Sequence, residues 1–191
     1  MANVHFIGAG QMAEAIIRAS LKAGTLRAQE ISLEDIDPNR IALLSERYGL
    51  THPREDVLRE AALVVLGIRP QDDLQSVAER IRPHLSAGAT VISLIAGVTL
   101  FKLEAALGAG TPIARVIPNT LTDTGFGYSG VTLNAQAASE QVEPFLTGFG
   151  KVLYLPERLI DIFTGFGVAG PNYIYYFIES FTDAGVLAGL S

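Results

Sequence analysis

The chain has no cysteine and no tryptophan, and only three histidines among its 191 residues. Without cysteine there is no disulfide framework, no thiolate ligand for zinc or an iron–sulfur cluster, and no thiol nucleophile. Charge is sparse as well. Charged residues make up 18% of the chain, and fourteen Lys and Arg face twenty Asp and Glu for a net charge of −6. Nucleic acid is therefore not an expected partner, because it requires a concentrated positive surface. No apolar run reaches the roughly 18 residues of a membrane helix. The longest candidate, 87–100, is interrupted by Gly88, Thr90, Ser93, Gly97 and Thr99, so no membrane partner is expected either. The N-terminus lacks a basic stretch followed by an apolar run and a small-residue cleavage site, which makes a cytoplasmic location the expectation. What the chain does have is 49% apolar residues, enough to exclude disorder and to fill a core at this size.

Apolar runs alternate with segments of helical periodicity. Val4–Ile7, Ile31–Leu33, Leu63–Ile68, Val91–Ile95 and Ile113–Ile117 read as strands. Between them, Met12–Leu21, Pro38–Tyr48, Leu74–Leu85 and Leu100–Leu107 read as helices, with Gly24 and Gly49 as stops. Strands alternating with helices predict an α/β fold, a Rossmann-like doubly wound parallel sheet. Beyond Pro118 the pattern changes. Thr122–Gly130 has the Gly, Thr and Ser content of a loop, Val131–Leu133 and Val152–Tyr154 suit edge strands, and a helix is expected over 139–149. From Asn172 to Leu187 the chain is apolar and aromatic nearly all round, and such a helix needs a covering surface. The expected division is residues 1–157 as a nucleotide-binding unit and 158–191 as the start of a helical dimerisation unit, with a homo-oligomer formed through that helix.

Gly8, Ala9, Gly10, Gln11, Met12 and Ala13 match Gly-x-Gly-x-x-Ala directly between a strand and a helix. Gly8 permits the tight turn, Gly10 lets a pyrophosphate reach the backbone, and Ala13 lets helix and strand pack closely. The free N–H groups and positive dipole end of the helix complete an anion site. The next strand ends in Glu34-Asp35-Ile36-Asp37. A carboxylate here, Asp35 first, bonds a ribose 2′-hydroxyl and repels a 2′-phosphate, so of NAD and NADP the lean is to NAD. Asp37 reads equally as the cap of the helix opened by Pro38, and Arg40 and Arg54 are candidates to neutralise a 2′-phosphate.

Several further motifs follow in order: Ile68-Arg69-Pro70-Gln71, Ile95-Ala96-Gly97-Val98-Thr99, Arg115-Val116-Ile117-Pro118-Asn119-Thr120, Gly170-Pro171-Asn172-Tyr173, and Phe177-Ile178-Glu179-Ser180 with Asp183-Ala184-Gly185. Together with the glycine turn, and over the whole chain, they resemble pyrroline-5-carboxylate reductase, the last enzyme of proline synthesis. The resemblance implies a Rossmann domain followed by a helical domain that interlocks with a second subunit. It also implies hydride transfer from NAD(P)H to the C=N bond of a cyclic imino acid. Residues Gly8 to Ala13 would hold the pyrophosphate. Ile68, Arg69 and Pro70 would flank the nicotinamide half, with Arg69 where the family usually has Lys, and Ala96 and Gly97 would line the nicotinamide pocket. Asn119, Thr120, Gly170 and Pro171 would lie near the imino-acid substrate.

The sequence also departs from the family. Its Ser-Gly-Ser-Gly-Pro-Ala-Tyr motif is here Gly167 to Tyr173 with both hydroxyls lost, and Ile117 and Leu121 replace a Met and a Pro. A later Ser-Pro-Gly-Gly-Thr-Thr segment has no counterpart, so the expectation is cofactor binding with poor turnover. Two alternatives stay open: another Rossmann oxidoreductase of the β-hydroxyacid dehydrogenase or deazaflavin-dependent NADP reductase type, and a diverged NAD(P)-binding paralogue with a regulatory role. No other machinery competes. His5 reads as a strand residue and His52 and His84 as solvated loop residues. Ser129 and Ser139 lack a nucleophile-elbow setting, Glu179 reads as a helix-face residue at a subunit contact, and no cluster suggests a metal.

Overall fold

Strands only four residues long can hold a sheet together when both their faces are buried, and the centre of this protein is built that way. In the computed structural model, which describes residues 3–50 and 56–191, β1 (Val4–Ile7), β2 (Ile31–Glu34), β3 (Leu63–Leu66) and β4 (Thr90–Ser93) are almost wholly buried. With β5 (Ile113–Ile117), β6 (Gly127–Leu133) and β7 (Gly150–Tyr154) they form one sheet in the order β2-β1-β3-β4-β5-β6-β7. The helices are α1 (Gln11–Ala23), α2 (Pro38–Tyr48), α3 (Val57–Glu60), α4 (Leu74–Ile81), α5 (Leu100–Leu107), α6 (Ser139–Leu146), α7 (Ile160–Phe163) and α8 (Gly170–Leu187). Alternation along the strands divides the core in two. Phe6, Val65, Ile92 and Val116 pack with α1, α2 and α6 on one face, while Ile7, Val64, Leu66 and Val91 pack with α4 and α5 on the other. This is the doubly wound architecture expected from the alternating pattern.

The sheet is not parallel throughout. β6 runs antiparallel to β5, with Ile117 opposite Gly130. Only nine residues separate the two strands, too few for the crossover of a dozen or more that a parallel pair requires. The segment 122–130 is therefore not all loop. Its second half is strand, and β6 is an inner strand with β7 alone at that edge. Two helices stop earlier than their apolar spacing suggests. The one from Leu74 ends at Ile81, and a 3-10 turn follows at Arg82–His84, where Pro83 offers no N–H to continue the α ladder. The one from Ser139 ends at Leu146, followed by a 3-10 turn at Thr147–Phe149. Helices α3 and α7, and the π turn Thr164–Val168, carry too few residues for periodicity to reveal.

Residues 158–168 remain attached to the sheet. Ile160 is fully buried, and the Phe163 ring lies so close to Gly130 that a Cβ there would come within 2.5 Å of it. In α8 no residue is buried, and Tyr173, Ile174, Tyr176, Phe177, Ile178 and Phe181 all stand exposed. Among the described residues no helix is long and apolar enough to cross a membrane.

One buried charge cluster binds α1 to α2. Glu14 is 4% exposed and accepts from Arg40, from Arg47 Nη1 at 2.7 Å and from the Tyr48 hydroxyl at 2.9 Å. Burial pushes its carboxyl up, but the hydrogen bonds from Arg40, Tyr48 and Arg47 outweigh that and hold it below the usual carboxylate range. Removing the carboxylate leaves Arg40 unpaired in a largely desolvated place. Glu14→Ala is expected to cost about 3 kcal/mol, the lower end for a broken buried pair because Arg47 keeps its water. Urea unfolding should show a lower midpoint at unchanged slope. A loss below about 1 kcal/mol, the worth of a surface pair, would contradict this account of the cluster.

Candidate functional site

The sheet order places β1 between β2 and β3, and open α/β sheets bind ligands outside the strand C-termini at such a reversal. Here the chain makes a close backbone crossing. Gly8 has φ +96°, and a Cβ on it would come within 2.7 Å of the Gly67 carbonyl oxygen. A Cβ on Gly67 would in turn meet the Gly8 carbonyl at 3.0 Å and Ala13 Cβ at 3.8 Å. The Gly8 amide donates to Glu34 O and the Gly67 amide to Ile7 O, both at 2.8 Å. Gly8, Gly67 and Ala13 are small because three backbones converge.

Gly10 is different. Its φ of −67° suits any residue, and a Cβ added to it meets nothing within 4 Å. The fold of the protein alone makes no demand for glycine there. The open space lies at the N-terminus of α1, where unpaired N–H groups and the dipole favour an anion. Gln11 is exposed beside it, Met12 is half-buried on the core, and Ala9 and Ala13 are buried.

A cavity of about 750 Å³ runs from this turn between two walls. One wall is Glu34, Asp35, Ile36 and Asp37, the other Ile68, Arg69, Ser76 and Val77, with Gly8 and Gly10 at the end. Asp35 is already engaged, accepting from the Ala9 amide at 2.7 Å and from the Asp37 amide at 2.9 Å. Asp37 caps α2, accepting from the Asn39 amide at 2.9 Å, as its position before Pro38 suggested. Glu34 is forked by Arg80 and lies 3.8 Å from Nε2 of the buried His5. Burial raises the Glu34 carboxyl, and the His5 and Arg80 contacts more than reverse this, taking it to about 2. It stays an anion in the cavity wall. Arg69 is folded onto Asp72. Arg40 is turned away from the cavity, donating to the Ala9 carbonyl at 2.7 Å and to Glu14, which removes it as a candidate for neutralising a 2′-phosphate. Arg54 and His52 lie outside the described residues, and His84 is exposed.

The remaining expected site residues do not line this cavity. Pro70 is exposed next to Arg69, and Ala96 and Gly97 are exposed on the turn after β4, where Gly97 has φ +73°. Asn119, after β5, is buried and spans two segments, donating to Gly167 O at 3.3 Å and accepting from the Tyr128 amide at 3.2 Å. It thereby joins the Pro118-Asn119-Thr120 motif to the Gly167–Pro171 motif, with Thr120 exposed and Gly170 and Pro171 half-buried. The hydroxyl missing at Gly167 has a steric counterpart, since a Cβ there would approach the Phe163 ring to 2.8 Å. Among the described residues no group of acidic or His side chains could hold a metal. Sequence reading missed Glu14, Arg40 in its inward role, and the Arg80–Glu34 fork. Each depends on pairing across the fold, and no local pattern signals it.

The strand–glycine turn–helix at the sheet's reversal defines a Rossmann-type dinucleotide-binding unit. Residues 3–97 match the family described as NADP oxidoreductase, coenzyme F420-dependent. Pyrroline-5-carboxylate reductase of Methanosarcina acetivorans is 31% identical over 98% of this chain and 71% of its own. The structure of a pyrroline-5-carboxylate reductase from Coxiella burnetii superposes with a TM-score of 0.91 at 27% identity, over 100% of this chain and 72% of that one. The Plasmodium falciparum pyrroline carboxylate reductase with NADP bound gives 0.84 at 28% identity, over 100% and 71%. The chain belongs to the pyrroline-5-carboxylate reductase family.

The two glycines of the turn should fail in different ways. Gly8→Ala is expected to lose at least about 1–2 kcal/mol of stability from its left-handed backbone alone, with the Gly67 clash added. Gly10→Val should fold, losing at most about 1 kcal/mol through a poorer helix cap, yet no longer bind NADH. Nicotinamide fluorescence titrated against wild type and Gly10→Val decides the assignment, and equal binding by the two would overturn it.

Proposed function

We propose that this protein reduces the C=N bond of pyrroline-5-carboxylate, giving proline, at the expense of NADH or NADPH. The observation that carries the cofactor half is the open space at Gly10, a glycine that the fold does not need and an approaching pyrophosphate does. Family membership supports the substrate half. The residues fit the nucleotide. The turn Gly8–Ala13 would take the pyrophosphate on the α1 amides, and Asp35 would face the adenosine ribose. Ile68, Arg69 and Pro70 would flank the nicotinamide half, with Ala96 and Gly97 at its far side. When bound, the nicotinamide would supply a hydride to the imine carbon, and a proton taken from water at the nitrogen would complete the amine. The protein's part is orientation, with Asn119 and Thr120 at the end of β5 and Gly170 and Pro171 at the start of α8 bounding the acceptor.

NAD is the preferred form in this reading. Glu34, Asp35 and Asp37 make one wall of the cavity acidic, and its cations Arg69 and Arg80 are already paired with Asp72 and Glu34. A 2′-phosphate would enter beside like charge. A division into a cofactor unit and a helical unit belongs to the same reading; the change from buried to exposed side chains favours a boundary after Phe163, since Ile160 and Phe163 still pack on the sheet, rather than at residue 157. A second reading, a cofactor-binding paralogue with little turnover, draws on the ring of Phe163 standing against Gly167, where the family has a hydroxyl.

Steady-state assays with pyrroline-5-carboxylate separate the two. Proline should form in step with NADH consumed, faster with NADH than NADPH, and below the roughly 10 per second of a typical enzyme because both serine hydroxyls are missing. Nucleotide binding without proline would favour the second reading.

The exposed aromatic face of α8 is assigned to a homo-oligomer contact, since apolar patches of this extent mark association surfaces. Sedimentation should show a dimer or larger species, and a monomer over a wide concentration range would contradict that assignment.

A further inference from the structure

Arg115 is a cation inside the sheet. It sits on β5 opposite Ser93 of β4, and only 3% of its side chain is exposed. Nη1 donates to Glu157 Oε1 at 3.1 Å and Nη2 to Asp161 Oδ1 at 3.4 Å, while Nε is buried and finds no partner among the described residues. A buried, incompletely satisfied guanidinium is costly, and an apolar side chain would fill the place more cheaply. Its presence calls for a reason beyond packing.

The reason lies in what Glu157 does with the same oxygen. Oε1 also accepts from the Leu100 amide at 2.7 Å. Leu100 is the first residue of α5, and the turn Ala96–Thr99 immediately precedes it. The Leu100 amide is one of the helix donors with no intrahelical partner, and a carboxylate there also meets the positive end of the helix dipole. Glu157 itself begins the segment that passes through α7 to α8. One carboxylate oxygen therefore joins three parts of the chain: the turn after β4, the strand β5 that ends in Pro118-Asn119-Thr120, and the segment leading to Gly170-Pro171. A short chain of charge-assisted hydrogen bonds of this kind fixes orientation as well as adding energy.

We propose that Glu157, held by Arg115, is a positioning residue for the nicotinamide end of the site: it locks the Ala96–Thr99 turn to the segment that carries the C-terminal helix. The inference rests on the reading that Ala96 and Gly97 flank the nicotinamide. It separates the two ends of the cofactor, because the adenosine cavity at β1–β3 has no part in this junction. Loosening Glu157 should leave the adenosine and pyrophosphate contacts intact and misplace only the nicotinamide wall.

The experiment compares NADH with ADP-ribose, which lacks the nicotinamide ring, by isothermal titration of the whole chain. Glu157→Asp keeps a carboxylate near Arg115 but is one methylene too short for the Leu100 amide, and Asp161 still faces the guanidinium. NADH affinity should fall by about tenfold and ADP-ribose affinity should stay within about twofold. Glu157→Gln keeps the reach and an acceptor oxygen, and should bind NADH within about threefold of wild type. Amide hydrogen exchange gives a second measure without ligand, in which Leu100 should exchange faster in Glu157→Asp than in wild type or Glu157→Gln. A merely structural role would weaken both ligands together. That result, or unchanged NADH affinity in Glu157→Asp, would overturn the proposal. Wild-type protein that binds neither ligand would instead refute the cofactor reading itself, and the inference with it.

Discussion

Everything at the nucleotide end depends on the crossing of Gly8 and Gly67, where the backbones leaving β1 and β3 touch. A side chain on either would push the two strand ends apart, because each Cβ would stand within about 3 Å of the other's carbonyl. The contact brings the start of α1 over the sheet's reversal and sets the Asp35 carboxylate on the Ala9 amide. The cavity between the two acidic and apolar walls is what remains between β2 and β3 once that crossing is made. One constraint therefore demands a small residue at three places, while the fold makes no such demand at the fourth, Gly10.

Among the described residues, two clusters in which a buried charge is paired tie separate parts of the chain together. Glu14 with Arg40, Arg47 and Tyr48 ties α1 to α2 and, through Arg40 on the Ala9 carbonyl, holds the glycine turn from behind. Arg115 with Glu157 and Asp161 ties β5 to the chain leaving the sheet. Neither cluster is a cheap source of stability, since desolvating charges offsets much of their attraction. What each supplies is a fixed geometry for a turn that packing alone would leave free to shift.

The loss of the hydroxyl at Gly167 fits its surroundings, while nothing in the structure explains the one at Ala169. Phe163 fills the space next to Gly167 and lies against Gly130, with Tyr128 tilted toward it at 5.9 Å. Asn119 reaches the Gly167 carbonyl across the same gap. The Phe163 ring thus leaves no room for a side chain at Gly167, and the Asn119 amide ties the two motifs together through the Gly167 carbonyl.

The chain sequence alone determined the alternation of strands and helices, the glycine turn and the Asp37 cap, because apolar period, glycine and capping side chains act over a few residues. The family motifs were also legible, being short and in fixed order. The strand at Val131–Leu133 was legible too, but the antiparallel direction of β6 and its first residues, Gly127–Gly130, were not, since a Gly- and Ser-rich stretch becomes strand only when β5 and β7 offer it partners. The inward turn of Arg40 and the three-way contact of Glu157 were decided by the tertiary structure. A charge reads as solvated from sequence, and only the fold reveals which opposite charge, dozens of residues away, it is buried against.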